Sequence, residues 1–384
     1  MIDSIKKEDC TGCKVCGDTC PVGAVSFPVD SEGFWYPAVD YSKCHKCGLC
    51  IKTCPSLNKL QTVKDDPRVY AAWSLDMTRR RESTSGGLYS ELAKGILRIN
   101  GYIVGCVFTD DYKGAKHIIG NTEQDLEKTM RSKYFQSDTA GIYRNVKKLV
   151  EKKETVLFCG TPCQNAALSK FLGTDRDNVI QCDFICHGIN SPKAYRRHIE
   201  ELECRFKSAV QSVHFKNKRR GWRSLGIYIK FKNGKYYFAN RNSSPWMNGY
   251  IVGSLFMRPS CYRCKYKNIP GVGDISIADF WGLAKRRRDM FYGISLVMVN
   301  SRKGAVLYND IQSRIYSEPS TLEQAISGNW NILNSTPCDE RRNDFFRRID
   351  TEDFSKIVWD LTGLNRLRRL KNDIRFKLKM LLGR

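Results

Sequence analysis

The chain has 384 residues, room for two or three domains with their own cores, and its 41% hydrophobic and 27% charged residues are those of an ordinary water-soluble protein. No run of about 18 apolar residues occurs, which excludes a membrane-spanning helix, and MIDSIKKEDC lacks the apolar core and cleavage site of a secretory signal, so a cytoplasmic protein is expected. The formal charge is +24, yet residues 1–60 hold seven lysines against seven Asp and Glu, so the whole surplus falls later in the chain.

The first feature met from the N-terminus is a cysteine code. Without an export signal, seventeen cysteines read as metal ligands before disulfides, because the cytosol keeps thiols reduced. Cys10-x-x-Cys13-x-x-Cys16-x-x-x-Cys20-Pro21 recurs 34 residues later as Cys44-x-x-Cys47-x-x-Cys50-x-x-x-Cys54-Pro55. This is the spacing of bacterial two-cluster ferredoxins: three close thiolates wrap one cube, and the fourth, beside proline, ligates the other. One [4Fe–4S] cluster is expected on Cys10, Cys13, Cys16 and Cys54, the second on Cys44, Cys47, Cys50 and Cys20. Gly12, Gly17 and Gly48 give the backbone room to approach sulfur. Zinc more often takes paired C-x-x-C knuckles than such triplets.

Residues 56–68 are polar and aperiodic, with Pro67 near their end, and read as a linker. Beyond it strands and helices alternate. VYAAWS (69–74) is a predicted strand, 85–99 a helix with Leu88, Leu92, Ile96 and Leu97 on one face, and YIVGCVF (102–108) a buried strand. A helix over 139–152 turns Ile142, Val146, Leu149 and Val150 inward. TVLFC (155–159) is a strand, Thr161 and Pro162 cap and start a helix to Leu172, and VIQCDFIC (179–186) is the next strand. Ser191-Pro192 opens a helix to Phe206; SVHF, IYIKF and KYYFAN follow as short strands, the last two joined at Asn233-Gly234. DISIADF (274–280) and GISLVMV (293–299) are apolar strands, and 302–315 is a predicted helix. Such alternation predicts a largely parallel sheet covered on both faces.

Several loops of this body share a chemical theme. Ser83-Thr84-Ser85-Gly86-Gly87 opens a helix, where free N–H groups and the dipole suit a phosphate. Lys133-Tyr134-x-Gln136-Ser137 offers a cation and polar donors, and Thr161-Pro162-Cys163, Cys186-His187-Gly188 and Cys261-x-x-Cys264 bring further thiols. Loops at strand carboxyl ends of open α/β sheets commonly meet at one site. Each motif alone also has an ordinary explanation, as a helix cap, a zinc knuckle half or a buried thiol pair. Cys106 and Cys204 read as core or surface thiols; Cys159, Cys182 and Cys338 stay unassigned, the first two as rival ligands to Cys163 and Cys186.

Together STSGG (83–87), KYFQS (133–137), LFCGTPCQ (157–164), DFICHGINSP (183–192), RRGW (219–222), RPSCYRCKY (258–266) and DISIADFWG (274–282) resemble the coenzyme F-420 hydrogenase/dehydrogenase beta-subunit family over roughly residues 69–310. The resemblance implies an FAD-dependent oxidoreductase body with a third [4Fe–4S] cluster on Cys163, Cys186, Cys261 and Cys264. It implies FAD contacts from Ser85, Gly86, Gly87, Lys133, Gln136, Ser137 and Thr161. Ala278 departs from the glycine expected in IADFWG, which leaves the roles of Asp279 and Trp281 open. His187, beside a presumed ligand, is read either as supporting that ligand or as a core or surface histidine.

The expected architecture is therefore α+β and α/β: a two-cluster ferredoxin domain over 1–60, a mixed α/β flavin-binding body over 69–315, and a helical extension over 316–384. The expected function is an iron–sulfur flavoprotein oxidoreductase that passes electrons between a redox partner protein and an organic, anionic substrate, the deazaflavin coenzyme or another reducible molecule. An electron-transfer subunit with its catalytic centre on a partner is the alternative, and a cluster-bearing nucleic-acid protein the distant third, since no nucleic-acid-binding signature accompanies the charge. The tail over 355–384 carries nine Lys and Arg against two Asp on a predicted amphipathic helix. It is expected to dock on its own domain; peripheral contact with anionic lipid at the inner membrane face is the other reading.

Overall fold

The computed structural model describes residues 1–58, 66–174, 176–224, 226–283 and 291–363, with Lys371 and Ile374. Most of the expected linker therefore lies outside the described residues.

In the N-terminal module each cysteine triplet ends in a short helix, α1 (Val15–Thr19) and α2 (Leu49–Lys52), and between them β1 (Val25–Ser26) pairs antiparallel with β2 (Ala38–Val39). The sequence repeat is a backbone repeat. Two residues after the first cysteine of each copy the chain is left-handed (Gly12, φ 69; Lys46, φ 53), and again two further on (Lys14, φ 59; Gly48, φ 74). These turns curl the chain around its cysteines, with glycine at a different one of the two positions in each copy.

The body runs β3 (Arg68–Ser74), α3 (Met77–Glu82), α4 (Leu88–Arg98), β4 (Tyr102–Phe108), β5 (Ala115–Gly120), α5 (Glu123–Thr129), α6 (Ile142–Glu151), β6 (Val156–Cys159), α7 (Pro162–Leu172) and β7 (Val179–Phe184). Then come α8 (Pro192–Phe206), β8 (Val210–Asn217), β9 (Gly226–Phe231), β10 (Tyr236–Asn240), α9 (Pro245–Met247), β11 (Ile275–Asp279) and β12 (Ser295–Val299). It ends with α10 (Arg302–Asp310), β13 (Ile315–Ser320), α11 (Leu322–Gly328), α12 (Arg341–Arg348) and α13 (Phe354–Thr362). Eight strands form one sheet in the order β13-β3-β12-β11-β7-β6-β4-β5.

Only the middle of that sheet is parallel: β4 with β6, β6 with β7, and β7 with β11. The remaining four pairings are antiparallel, so the largely parallel sheet expected from sequence is instead mixed. For β4 and β5 the cause is plain: residues 109–114 are too few for a crossover, which needs a dozen or more. Helices α4, α5 and α10 bury Leu92, Ile96, Leu126 and Leu307 against one face, over Ile103, Leu157 and Ile275. Helices α6 and α7 bury Val146, Val150 and Leu168 against the other, over Val104, Phe158 and Val179, and Cys13 and Val15 of the N-terminal module join that cluster.

A second sheet, β10-β9-β8, packs with α8 and α13 around Tyr195, Phe215, Trp246 and Ile357. Phe354, Ile357 and Val358 are fully enclosed there, so the first part of the basic tail docks on its own body. Gly363, at φ 65, ends α13, so the single helix expected over 355–384 stops; the tail beyond it lies outside the described residues except Lys371 and Ile374. The expected boundary after residue 315 falls inside β13, an edge strand of the main sheet. Among the described residues no helix is long and apolar enough to cross a membrane.

Candidate redox site

Cys10, Cys13, Cys16 and Cys54 are all buried and line one cavity of about 340 Å³ with Ile2, Ile5, Phe27 and Pro37. Burial pushes the Cys13 thiol up to about 12, and those of Cys16 and Cys54 up as well, with neighbouring thiols adding to each shift. Such groups hold their protons at neutral pH unless a metal displaces them. The set fits a cluster's iron. In the other set Cys50 is buried, Cys20 and Cys44 are half-buried and Cys47 is exposed. Ala24 N–H donates to Cys20 Sγ at 3.2 Å and Lys46 N–H to Cys44 Sγ at 3.4 Å, the amide-to-sulfur bonds that stabilise ligating thiolates. Among the described residues no three His, Cys, Asp or Glu converge as on a single ion. Thiolates on a cube each bind a different iron and stand farther apart.

The module is riveted to the body by Arg258, which stands in RPSCYRCKY with no role expected of it. Arg258 is 1% exposed. It donates Nε–H to the Cys10 carbonyl at 2.7 Å, Nη1–H to Gln136 Oε1 at 2.9 Å and Nη2–H to the Trp35 carbonyl at 3.0 Å. Its guanidinium lies 4.3 Å from the Tyr36 ring centroid. Gly12 is where the two parts touch: a Cβ there would stand 2.1 Å from Gln136 Nε2 and 2.7 Å from Arg258 Nη1. Asp18 accepts from the N–H groups of Gly141 (2.7 Å) and Tyr143 (3.0 Å) at the start of α6, and Thr139 Oγ1 donates to the Cys13 carbonyl at 2.7 Å. Lys265 pairs with Asp9 at 2.9 Å, and Arg342 pairs with Glu32.

Beyond this seam lies a larger cavity, about 830 Å³, at the carboxyl ends of β6 and β7. Cys163, Cys186, Cys261 and Cys264 all line it. Cys163 opens α7, where Thr161 and Gln164 form a capping box and Thr161 Oγ1 stands 3.0 Å from Cys163 Sγ. The bridge Asn190↔Met257 lays the loop after β7 beside the turn Pro259–Arg263, and Ile189 N–H donates to Cys261 Sγ at 3.3 Å. Lys267 donates to the carbonyls of Cys186 and, at 2.9 Å, Asn331. Burial pushes Cys186 up to about 11 and Cys261 to about 12, so these thiols too need a cation to ionise. The rivals face elsewhere. Cys159 and Cys182 are paired neighbours in β6 and β7, packed towards the α4 and α10 side, and neither lines the cavity. Thr11 and Ser56 line both cavities, so the two sets of thiols share a wall.

The residues expected to hold FAD do not form one group. Ser85 Oγ donates to the Ile294 carbonyl at 2.9 Å and Gly86 N–H to Ser295 Oγ at 2.9 Å, so both tie their loop to β12. Gly87, at φ 92, precedes α4, whose first turn has no side-chain cap among the described residues. Lys133 donates to the carbonyls of Met130 (2.7 Å) and Lys128 (3.0 Å) at the end of α5; burial lowers its pKa to about 8. Gln136 belongs to the module seam, Ser137 accepts from Gln164 Nε2 at 3.2 Å, and Thr161 lies in the cysteine cavity.

Around the glycine loop stands instead a network that RRGW and IADFWG foreshadowed without roles. Lys218 donates to the carbonyls of Ser85 and, at 2.8 Å, Tyr292. Asp279 pairs with Lys216 and accepts from Trp222 Nε1–H at 2.9 Å, and Trp222 stacks on Trp281 at 4.2 Å. His187 Nδ1 meets Asn331 Oδ1 at 3.0 Å on the cysteine cavity's wall.

Known proteins match both halves of the chain. Residues 9–58 match the family model of the 4Fe-4S dicluster domain, and residues 153–325 match that of the carboxyl-terminal part of the coenzyme F420 hydrogenase/dehydrogenase beta subunit. The F subunit of the F(420)H(2) dehydrogenase of Methanosarcina mazei is 25% identical over 300 residues, 73% of this chain and 80% of that protein. An uncharacterised ferredoxin of Methanocaldococcus jannaschii is 38% identical over 52 residues, 14% of this chain and 66% of its own. A chain of the F420-reducing [NiFe] hydrogenase complex from Methanosarcina barkeri aligns with a TM-score of 0.49 and 15% identity over 79% of this chain and 93% of its own.

Fold and cysteines thus define an iron–sulfur electron-transfer protein of the oxidoreductase type. The chain carries, behind an N-terminal 4Fe-4S dicluster domain, the carboxyl-terminal domain of the coenzyme F420 hydrogenase/dehydrogenase beta subunit.

Proposed function

We propose that this chain is an iron–sulfur flavin oxidoreductase that exchanges electrons between a redox partner at its N-terminal module and an organic, anionic substrate at its body. The observation that carries the reading is the shared wall: four body thiols meet on one cavity, and Thr11 and Ser56 separate them from the buried thiols of the module. A flavin exchanges electrons in pairs as hydride and a cubane cluster singly, so the two together convert between two-electron and one-electron transfer.

On this reading Cys163, Cys186, Cys261 and Cys264 hold a third [4Fe–4S] cluster, and Arg258, Asp18 and Thr139 keep the module's buried cysteines against it. The first turn of α4 after Gly87, with no side-chain cap among the described residues, would receive FAD phosphate, while Ser85 and Gly86 hold that turn to β12. Lys216, Asp279 and Trp222, locked to one another, border the same turn through Lys218. Arg79 to Arg81 and Lys216 to Arg223 supply the positive field that draws an anionic substrate. The deazaflavin coenzyme after which the relatives are named is one such substrate.

Anaerobic purification with iron, sulfide and flavin analysis tests this. About twelve irons with one FAD are expected for three cubanes; about eight irons and no flavin would overturn the flavoenzyme reading and leave the ferredoxin module standing. The second reading, an electron-transfer subunit whose catalytic centre lies on a partner, is favoured by the likeness to a dehydrogenase subunit of Methanosarcina mazei. Turnover of small oxidants by the isolated chain decides between them.

A further inference from the structure

The N-terminal module is neutral as a whole but polar along its length. Residues 1–40 hold seven acids against three lysines; residues 41–60 hold four lysines and no acid. The acidic part is the one engaged with the body. Asp9 meets Lys265, Glu32 meets Arg342, and Asp18 caps α6. The buried cysteine set lies on that same side, sharing its wall with the body cavity. What is exposed is most of the lysine-bearing stretch from Lys46 to Lys52, with the only cysteine of the two expected cluster sets that is exposed, Cys47.

Around Cys47 the surface has an apolar centre and a basic rim. Leu49, Ile51 and Leu57 are 40%, 38% and 47% exposed. Lys46 and Lys52 are exposed beside them, and among the described residues no carboxylate pairs with either. An apolar core with a charged rim is the composition of a protein-docking face. Its sign selects the partner, because complementary charge steers encounter and rejects like-charged proteins.

We propose that this lysine-rimmed face around Cys47 docks an acidic one-electron redox protein. The inference rests on the reading of the module as a two-cluster ferredoxin domain. It adds which face meets the partner and what charge the partner carries. The body's own charge favours the same sign, so an acidic protein is drawn in at long range and seated by the apolar centre.

The test uses the anaerobically purified full chain and, as probe, a reduced plant-type [2Fe–2S] ferredoxin of net negative charge, which gives one electron and no proton. Stopped-flow bleaching of the chain's clusters is read. The second-order rate should fall about tenfold between roughly 0.05 and 0.5 M salt. It should fall about threefold further in the variant Lys52→Glu at low salt, with iron content and reduction by a small uncharged photoreductant unchanged. Lys43 and Lys46 are left alone because both adjoin an expected ligand, Lys43 pairs with Asp40 and Lys46 is left-handed. A rate indifferent to salt, or equal in the variant, overturns the proposal. If the variant loses iron, the salt dependence of the unaltered protein decides. Absence of flavin would sink the flavoenzyme reading and leave this measurement intact, since it follows the clusters alone.

Discussion

Arg258 is a cation sealed inside the protein with carbonyls and an amide for company, and among the described residues it has no carboxylate partner. Replacing it with methionine would leave the buried carbonyls of Cys10 and Trp35 without a donor, each worth about 1–3 kcal/mol. Arg258→Met should therefore cost about 3 kcal/mol or more, seen as a lower thermal midpoint of the anaerobic protein. His198 makes a second prediction. It is 1% exposed, packed near Trp246 and Phe354, and among the described residues neither ring nitrogen has a partner. Burial depresses its pKa from 6.5 to about 3, so it is neutral in the fold and protonates on unfolding. Its contribution is complete above pH 6.5 and lost as pH falls towards 3. Between pH 7 and 5 the protein should lose about 2 kcal/mol through this residue, and His198→Phe should flatten that part of the stability profile. An unchanged slope would contradict the assignment. The cysteines were legible at this scale because a cube imposes a spacing on its ligands. Arg258 was not, since its three acceptors lie 122 to 248 residues away in sequence.

Among the elements, α4, α6, α7 and α8 could be read from apolar stripes and caps, and Thr161 does cap α7. The missed elements lack those signals. Helix α3, MTRRRE, has no apolar stripe, and α5 buries only Leu126 and Thr129. Strand β13, IYSEPS, contains a proline that only an edge position accepts. Strand direction was the deeper gap: periodicity reports burial and says nothing of which way a neighbour runs. Helix α13 gives the element-scale test. Ile357 is 0% exposed inside the core of the second sheet. Ile357→Ala should cost about 3 kcal/mol by opening a cavity there, measured by the shift in thermal midpoint. No shift would mean that the tail's first turns do not hold the body together.

Over the whole molecule, two cysteine cavities with a common wall place the acidic half of a neutral module against a basic body. The ferredoxin code was plain in sequence because its eight ligands sit within 45 residues. The body set could be named only through the family resemblance and not from spacing, for its members span Cys163 to Cys264 and meet only when β6, β7 and the turn after Met257 fold together. The extent of the body was also hidden, since α12 and α13 join its core from beyond the expected boundary. The central claim is that these four thiols hold a cluster of their own. It is tested most directly by iron analysis of the anaerobic double variant Cys261→Ala/Cys264→Ala beside the unaltered chain. The account predicts a fall from about twelve irons to about eight, with the two-cluster signal of the N-terminal module retained; an iron content equal to that of the unaltered chain would contradict it.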